Sequence, residues 1–329
     1  DGTAVVAAAG GDTRNFIIDG DFTQWPDGSS ARTFSDNVYG PALWVGSFGS
    51  SGSCTTERST DVPTVAESGH QSSYSFLLKC TGTDASIGTT DNVHTDYYMT
   101  GNDYSYIHQQ EYTVSLWAKT SAANSGHTYY LRVENSARAR TYVKSFAPTS
   151  SWTKFTFTVP TDTTGTWLFT EADIGLTLGI TLMAGTDRDD GTDGAWATGS
   201  NEVASASPTI SNFMDDTSNE LYLSQVGLYL GSSAPTFLGE TVATVRDQVG
   251  YYVQLFGNDA EQSMLYNGFC ANTTLIDGVF LYKKKRIDPA IRISGVTGFK
   301  CQWTGSQKTS TAFAATYIDR SSCFLRFTN

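Results

Sequence analysis

Charge is scarce in this chain. Of its 329 residues only 16% are Asp, Glu, Lys or Arg, against roughly 25% in an average soluble domain. The imbalance is acidic: 33 carboxylates against 21 Lys and Arg give a formal charge of −12. A general nucleic-acid binder needs a basic face, so that class is excluded. No apolar run approaches the roughly 18 residues of a spanning helix, which excludes insertion into a membrane by a helix. Proline is sparse at 8, and cysteine stands at an odd 5. Cys54, Cys80, Cys270, Cys301 and Cys323 include no C-x-x-C pair, so a zinc or thioredoxin-type site is not signalled. The plain reading is small buried hydrophobic side chains. Cys54 with Cys80, and Cys301 with Cys323, lie in strand-like runs that can face one another. His70, His94, His108 and His127 form neither H-x-H nor H-E-x-x-H, and no G-x-S-x-G elbow is present. The sequence selects no catalytic residue, and we read the chain as no enzyme.

What is abundant is β-forming residue. Hydrophobic residues reach 39% and aromatics 13%, enough for a sizeable core. Tyr112–Lys119 and Thr153–Val159 alternate with period 2, and further runs cover Tyr74–Cys80, Tyr129–Glu134, Leu176–Met183 and Leu221–Leu230. Gly/Ser-rich stretches, Gly46–Ser53 and Thr186–Ser200, read as connections. Many strands without intervening helices predict an all-β antiparallel sandwich. Thr241–Val249 breaks the pattern. Its apolar residues at 242, 245 and 249 have helical spacing, with Thr241 as N-cap. It reads as a short helical linker, 238–250. Beyond it, 251–329 carries strand-like runs at Ser263–Cys270, Ile276–Tyr282, Ala290–Gly295, Phe299–Trp303, Phe313–Ile318 and Cys323–Phe327, a smaller β domain. Residues 1–14 are small and polar, an extended arm.

Several pieces carry a resemblance. Asn15-Phe16-Ile17-Ile18-Asp19-Gly20-Asp21-Phe22-Thr23-Gln24-Trp25, followed by Gly28, resembles the opening strand of carbohydrate-binding jelly rolls, in the version found in tailed-bacteriophage fibre and virion structural proteins. Tyr39–Trp44, Tyr112–Lys119, Ser151–Lys154, Val159–Trp167, Gly194–Trp196 and Leu223–Phe237 match later steps of that pattern, in order. The resemblance implies a jelly-roll β-sandwich over 15–237. It also implies a structural virion component, a fibre, spike or capsid decoration subunit on the particle surface. Other virion proteins would be its partners, with a homo-oligomer, trimer favoured, and host-surface glycan adhesion. A secreted non-viral carbohydrate-binding module is the alternative. A polysaccharide depolymerase of the tailspike kind is a third, although no β-helix period is present. Sugar-binding relatives often hold calcium with carboxylates where this chain has Thr23 and Ser224 or Gln225, neither a carboxylate.

Sugars stack on exposed aromatic rings. Trp44, Trp167 and Trp196 lie near Gly-rich or Asp-rich loops, and Tyr97-Tyr98 lies in a loop-like stretch between Asp96 and Gly101. These five are the candidate glycan contacts. Adjacent strand residues face opposite ways, so at most one of Tyr97 and Tyr98 serves a given groove. Trp117 reads as core, and Trp25 and Trp152 as plugs at strand edges. Asp187, Asp189, Asp190 and Asp193 form the densest acidic loop and the one candidate calcium site, although the spacing is not that of an EF-hand. Lys283–Arg286 is the only basic run. It reads as a solvated hairpin end, with contact to an acidic subunit or phosphate-bearing glycan as the sharper reading.

Overall fold

The computed structural model describes residues 13–205, 209–253, 269–270, 275–291, 300–303, 306–309 and 311–328. Most of the arm, residues 1–12, lies outside this set, as do 263–268 and 292–299 of the expected C-terminal strands. The chain divides into two units, Asp1–Arg246 and Asp247–Asn329.

The first unit is a sandwich of two six-stranded antiparallel sheets. One sheet runs in the order β1 (Arg32–Phe34), β3 (Ser53–Ser59), β4 (Ser75–Gly82), β12 (Glu220–Leu230), β6 (Tyr112–Thr120), β9 (Thr153–Val159). The other runs β11 (Ala195–Thr198), β8 (Arg140–Phe146), β7 (Tyr129–Glu134), β10 (Ile174–Ala184), β5 (Asn92–Thr100), β2 (Trp44–Gly49). Strands adjacent in sequence are repeatedly separated in space, which is the jelly-roll habit. Period-2 alternation sends one side of each strand inward. Leu176, Leu178, Ile180 and Leu182 of β10 meet Leu221, Leu223 and Leu228 of β12 in one continuous core. Each such side chain, fully buried, contributes about 1.5–3 kcal/mol. Cys54 and Cys80 are register partners in this core, both buried and both free thiols. Burial pushes the Cys54 thiol far up, so it behaves as a hydrophobe.

The opening motif plugs an irregularity in β12. Register slips between Ser224 and Gly227, and Gln225 takes φ +50°. Asn15 fills the gap: its Oδ1 accepts from the Ile17 and Leu228 amides, at 2.9 and 3.0 Å, and its Nδ2 donates to Val226. Gly20 lies against the same carbonyl, where a Cβ would stand 1.9 Å from the Val226 oxygen. The Asp19 carboxylate then accepts from the Thr23 and Gln24 amides and the Thr23 hydroxyl, at 2.7–2.8 Å. Gln225 donates to Ser68 and Ser72, both at 2.9 Å. The Thr23 hydroxyl and the Gln225 amide nitrogen are thus spent on hydrogen bonds within the chain.

Helix α1 (Val65–Ser68) carries a capping box, Thr64 with Glu67, and α2 (Gly101–Ser105) is capped by Thr100. Helix α3 (Val242–Tyr252) covers the segment whose spacing predicts one. Within the second unit, β14 (Leu275–Leu281) lies between β13 (Phe269–Cys270) and β18 (Ser322–Thr328), with β17 (Ala312–Thr316) outermost; β15 (Lys300–Trp303) and β16 (Ser306–Thr309) form a separate pair. Phe280, Tyr282, Cys323, Leu325 and Phe327 form its core among the described residues. The basic run is only in part solvated: Lys283 and Lys284 are exposed, and Arg286 is half-buried. Lys285 is buried and donates to the Gly250 carbonyl, and Lys283 donates to the Asp247 carbonyl at 2.6 Å, so two lysines satisfy late carbonyls of α3.

Candidate functional site

The outward face of the second sheet carries a buried cluster of charged side chains. Its geometry follows from register. Asp96 of β5 pairs with Gly179 of β10, and Gly179 pairs with Arg132 of β7. Glycine between two charged residues leaves room for their side chains to meet across it. Arg132 Nη2 stands 2.5 Å from Asp96 Oδ1, and a Cβ on Gly179 would lie 2.6 Å from that same oxygen. Around this pair lie Glu134 Oε1 at 3.8 Å and Glu202 Oε1 at 3.6 Å from the guanidinium. His94 completes it, with Nδ1 3.1 Å from Asp96 and Nε2 3.5 Å from Glu202. All five side chains are at most 2% exposed.

Burying charge is costly unless it is paired. Here it is paired twice over. Arg138 reaches Glu134 at 3.2 Å, and Arg188 reaches Glu202 at 2.8 Å, from positions 41% and 30% exposed. Three guanidiniums balance three carboxylates. Burial raises the Asp96 pKa, but the Arg132 charge and His94 outweigh it and hold the carboxyl well below its usual range. Burial likewise disfavours the Arg132 charge, and Asp96, Glu134 and Glu202 more than restore it. Hydrogen-bonding capacity is left over: Arg132 Nε and Nη1, His94 Nε2, Glu134 Oε2, Glu202 Oε2 and Thr181 Oγ1 have no hydrogen-bond partner within the chain. Buried polar atoms are otherwise satisfied by water or ligand.

The cluster ends in a rim. Tyr98, Thr177 and Glu134 form the next row across β5, β10 and β7. Tyr98 is half-buried, and burial, then the Asp96 charge, push its hydroxyl up to about 12. Arg138 closes the row as its exposed cation.

The aromatic candidates separate against this geometry. Tyr97 and Tyr98 lie in a strand, not a loop; Tyr97 points into the core at 2% exposure and Tyr98 points out. Trp44, 1% exposed, packs on Phe22, Phe76 and Tyr97. Trp167, also buried, stacks on Tyr104 at 4.8 Å. Trp196 is half-buried, edge-on to Trp167, and donates to the Pro160 carbonyl at 2.7 Å. Trp44, Tyr97 and Trp167 therefore offer no ring face to a sugar, because the sandwich interior takes them. Trp25 packs in the core as a plug, while Trp152 is half-buried at the surface.

The structure does not gather the carboxylates of the acidic loop into one ligand set. Asp187 and Asp190 are exposed, and Asp189 is half-buried. Asp193 is bound by Lys144 at 2.5 Å and the Ser145 amide at 2.7 Å. Among the described residues no group of three His, Cys, Asp or Glu side chains is placed to hold a metal ion. The loop serves instead to bring Arg188 and Glu202 over the charged cluster: the Glu202 amide donates to the Arg188 carbonyl at 2.8 Å. Sequence reading missed His94, Asp96, Arg132, Glu134 and Glu202. Their signal was charge at i, i+2 inside apolar strands, His94/Asp96 and Arg132/Glu134, which marks one face.

No family model matches the chain, and no curated protein matches it. Among solved structures it is similar to the enzymatically active domain of bacteriophage CBA120 tailspike protein 4, at 10% identity over 58% of this chain and 20% of that one, TM-score 0.32. It is also similar to TmCBM61 in complex with β-1,4-galactotriose, at 9% identity over 66% and 99%, TM-score 0.33. A third is the CBM22-1 xylan-binding domain of Paenibacillus barcinonensis Xyn10C, at 11% over 64% and 99%, TM-score 0.31. The chain spans about a fifth of the tailspike domain. These are likenesses at low identity, and the sandwich architecture stands on the strand pairing itself. Among the described residues no helix is long and apolar enough to cross a membrane.

Proposed function

We propose that this chain is a non-enzymatic structural component of a tailed-phage virion, a fibre, spike or decoration subunit, that holds host-surface glycan on the outward face of its second sheet. The carrying observation is the half-buried Tyr98 and the exposed guanidinium of Arg138, held at the rim of the buried, charge-balanced network of Asp96, Arg132, Glu134 and Glu202. The buried network fixes its rim, so the Arg138 guanidinium and the Tyr98 hydroxyl stand at set positions, which suits sugar hydroxyls. Tyr98 adds a ring edge to pack on. Each carboxylate already faces a guanidinium, whereas a glycosidase needs one acid kept protonated. That supports a binding role over cleavage. The sequence resemblance over 15–237 supports the virion setting and a homo-oligomer, trimer favoured, in which weak single sites gain from effective concentration.

The test is binding of the full chain to purified host-surface polysaccharides. Tyr98→Ala and Arg138→Ala should each weaken retention at least tenfold with the fold intact. Unchanged retention by both would remove this face from the reading. New reducing ends on incubation would favour a depolymerase. A clean monomer by light scattering, absent from particles, would count against the virion role.

A further inference from the structure

The outer face of the first sheet carries a second built surface, unrelated to the charged cluster. Tyr222 of β12 is register partner to Lys119 of β6, and Trp152 enters beside Lys119 just before β9. Trp152 and Tyr222 are both half-buried, with ring centroids 6.3 Å apart and planes at 72°. The Lys119 ammonium lies 4.7 Å from the Tyr222 ring and 5.6 Å from the Trp152 ring. Asp61 pairs with Lys119 and accepts from the Trp152 indole at 2.9 Å. Glu220 accepts from the Tyr222 hydroxyl at 2.8 Å and from Lys79 at 2.9 Å.

Two facts distinguish this patch from scattered surface residues. Each aromatic ring is pinned by a carboxylate through its own polar atom, so ring positions are set before anything binds. The two ion pairs beneath the rings also close on themselves: Lys79 with Glu220 and Lys119 with Asp61, in a chain of −12 overall. Amphipathic, preorganised and with its lysines already paired, it matches a ligand with an apolar ring face, an edge of hydroxyls and no net charge. A basic or anionic partner would gain nothing from the balance. We propose that this face is a second, independent platform for a neutral pyranose glycan, with Trp152 and Tyr222 against the ring and Asp61, Lys119 and Glu220 on its hydroxyls.

Seven tryptophans give seven indole N–H signals in a 15N-labelled full chain, and Trp152→Phe assigns the relevant one. The probes are cellotetraose, xylotetraose, β-1,4-galactotriose, maltotetraose and chitotriose, with oligogalacturonate as the acidic control. The expected result is a saturable shift of the Trp152 indole with at least one neutral probe. Tyr98→Ala should leave it intact, which separates this proposal from failure of the other face. Tyr222→Ala should weaken it at least tenfold. Tyr222→Phe, which keeps the ring, should weaken it by threefold or less. Unshifted signals from the other six indoles show that the variants remain folded. No Trp152 shift with any neutral probe, or a stronger response to oligogalacturonate, overturns the proposal. So does a Trp152 shift that follows protein concentration in the absence of sugar, because a second copy would then cover the face.

Discussion

At the scale of single residues, the most exacting demand is made by the Arg132–Asp96 pair. Removing one partner of a buried ion pair strands the other charge, at about 3–5 kcal/mol. Asp96→Asn is therefore expected to cost about that much in urea unfolding, far above the ≤1 kcal/mol of a surface pair. Gly179→Ala should cost about 1–3 kcal/mol by crowding the same contact, because its Cβ would lie 2.6 Å from Asp96 and 3.0 Å from Arg132. Protonation separates Asp96 from a second buried carboxyl, Asp19. Burial above all pushes Asp19 up from 3.8 to about 6, against the hydrogen bonds from Thr23 and Gln24. A raised acid takes its proton in the folded state first, so acidification from about 6 to 3.8 stabilises the fold through this residue, with nothing further gained below. Asp96 has the opposite sign. Its lowered pKa contributes stability that is complete above 3.8 and is lost on further acidification. Thermal melts of the parent and Asp19→Asn from pH 7 to pH 4 should show the parent gaining on the variant; parallel curves would contradict the Asp19 assignment.

At the scale of elements, the opening motif and β12 form one device. Asn15 spans the slip in β12 through two hydrogen bonds, to Val226 and Leu228, and Gly20 lets the backbones approach where no side chain fits. Gly20→Ala should lower the unfolding midpoint by an equivalent of at least about 1–3 kcal/mol, the scale of an overpacked contact. It should also release protection of the Val226 amide, which donates to the Gly20 carbonyl at 2.8 Å, in hydrogen exchange. Loss of stability without loss of that protection would locate the damage elsewhere. The strands differ in how openly they can be read. Tyr129–Glu134 and Thr153–Val159 have the bounds their alternation predicts. β5 was hidden because Asp96 and Gly101 look like turn punctuation around Tyr97-Tyr98. Asp96 belongs in a strand only because Arg132, far along the chain, neutralises it.

At the scale of the whole molecule, net charge governs association. Copies carrying −12 each repel one another. The Debye length shrinks from about 30 Å at 0.01 M salt to about 8 Å at 0.15 M. Light scattering of the full chain should therefore show the proposed homo-oligomer strengthening as salt rises over that range. Weakening would mean that attraction between unlike charges holds the copies together. The two proposed glycan surfaces belong to opposite sheets of one sandwich, so their single-site variants should act additively.

Composition and period alone determined that this chain folds as β: alternation decides which side of a strand is apolar, and that is a local property. They also placed the short helix, since three apolar residues at 242, 245 and 249 share one face. Only tertiary structure decided which rings reach solvent. Trp44 and Trp167 sit beside loops in sequence yet fill the interior, while Trp152 stays at the surface. It also decided where charge is tolerated, because the buried Arg132 guanidinium is stable only where its own strand β7, the neighbouring β5 and the loop that carries Glu202 bring it carboxylates.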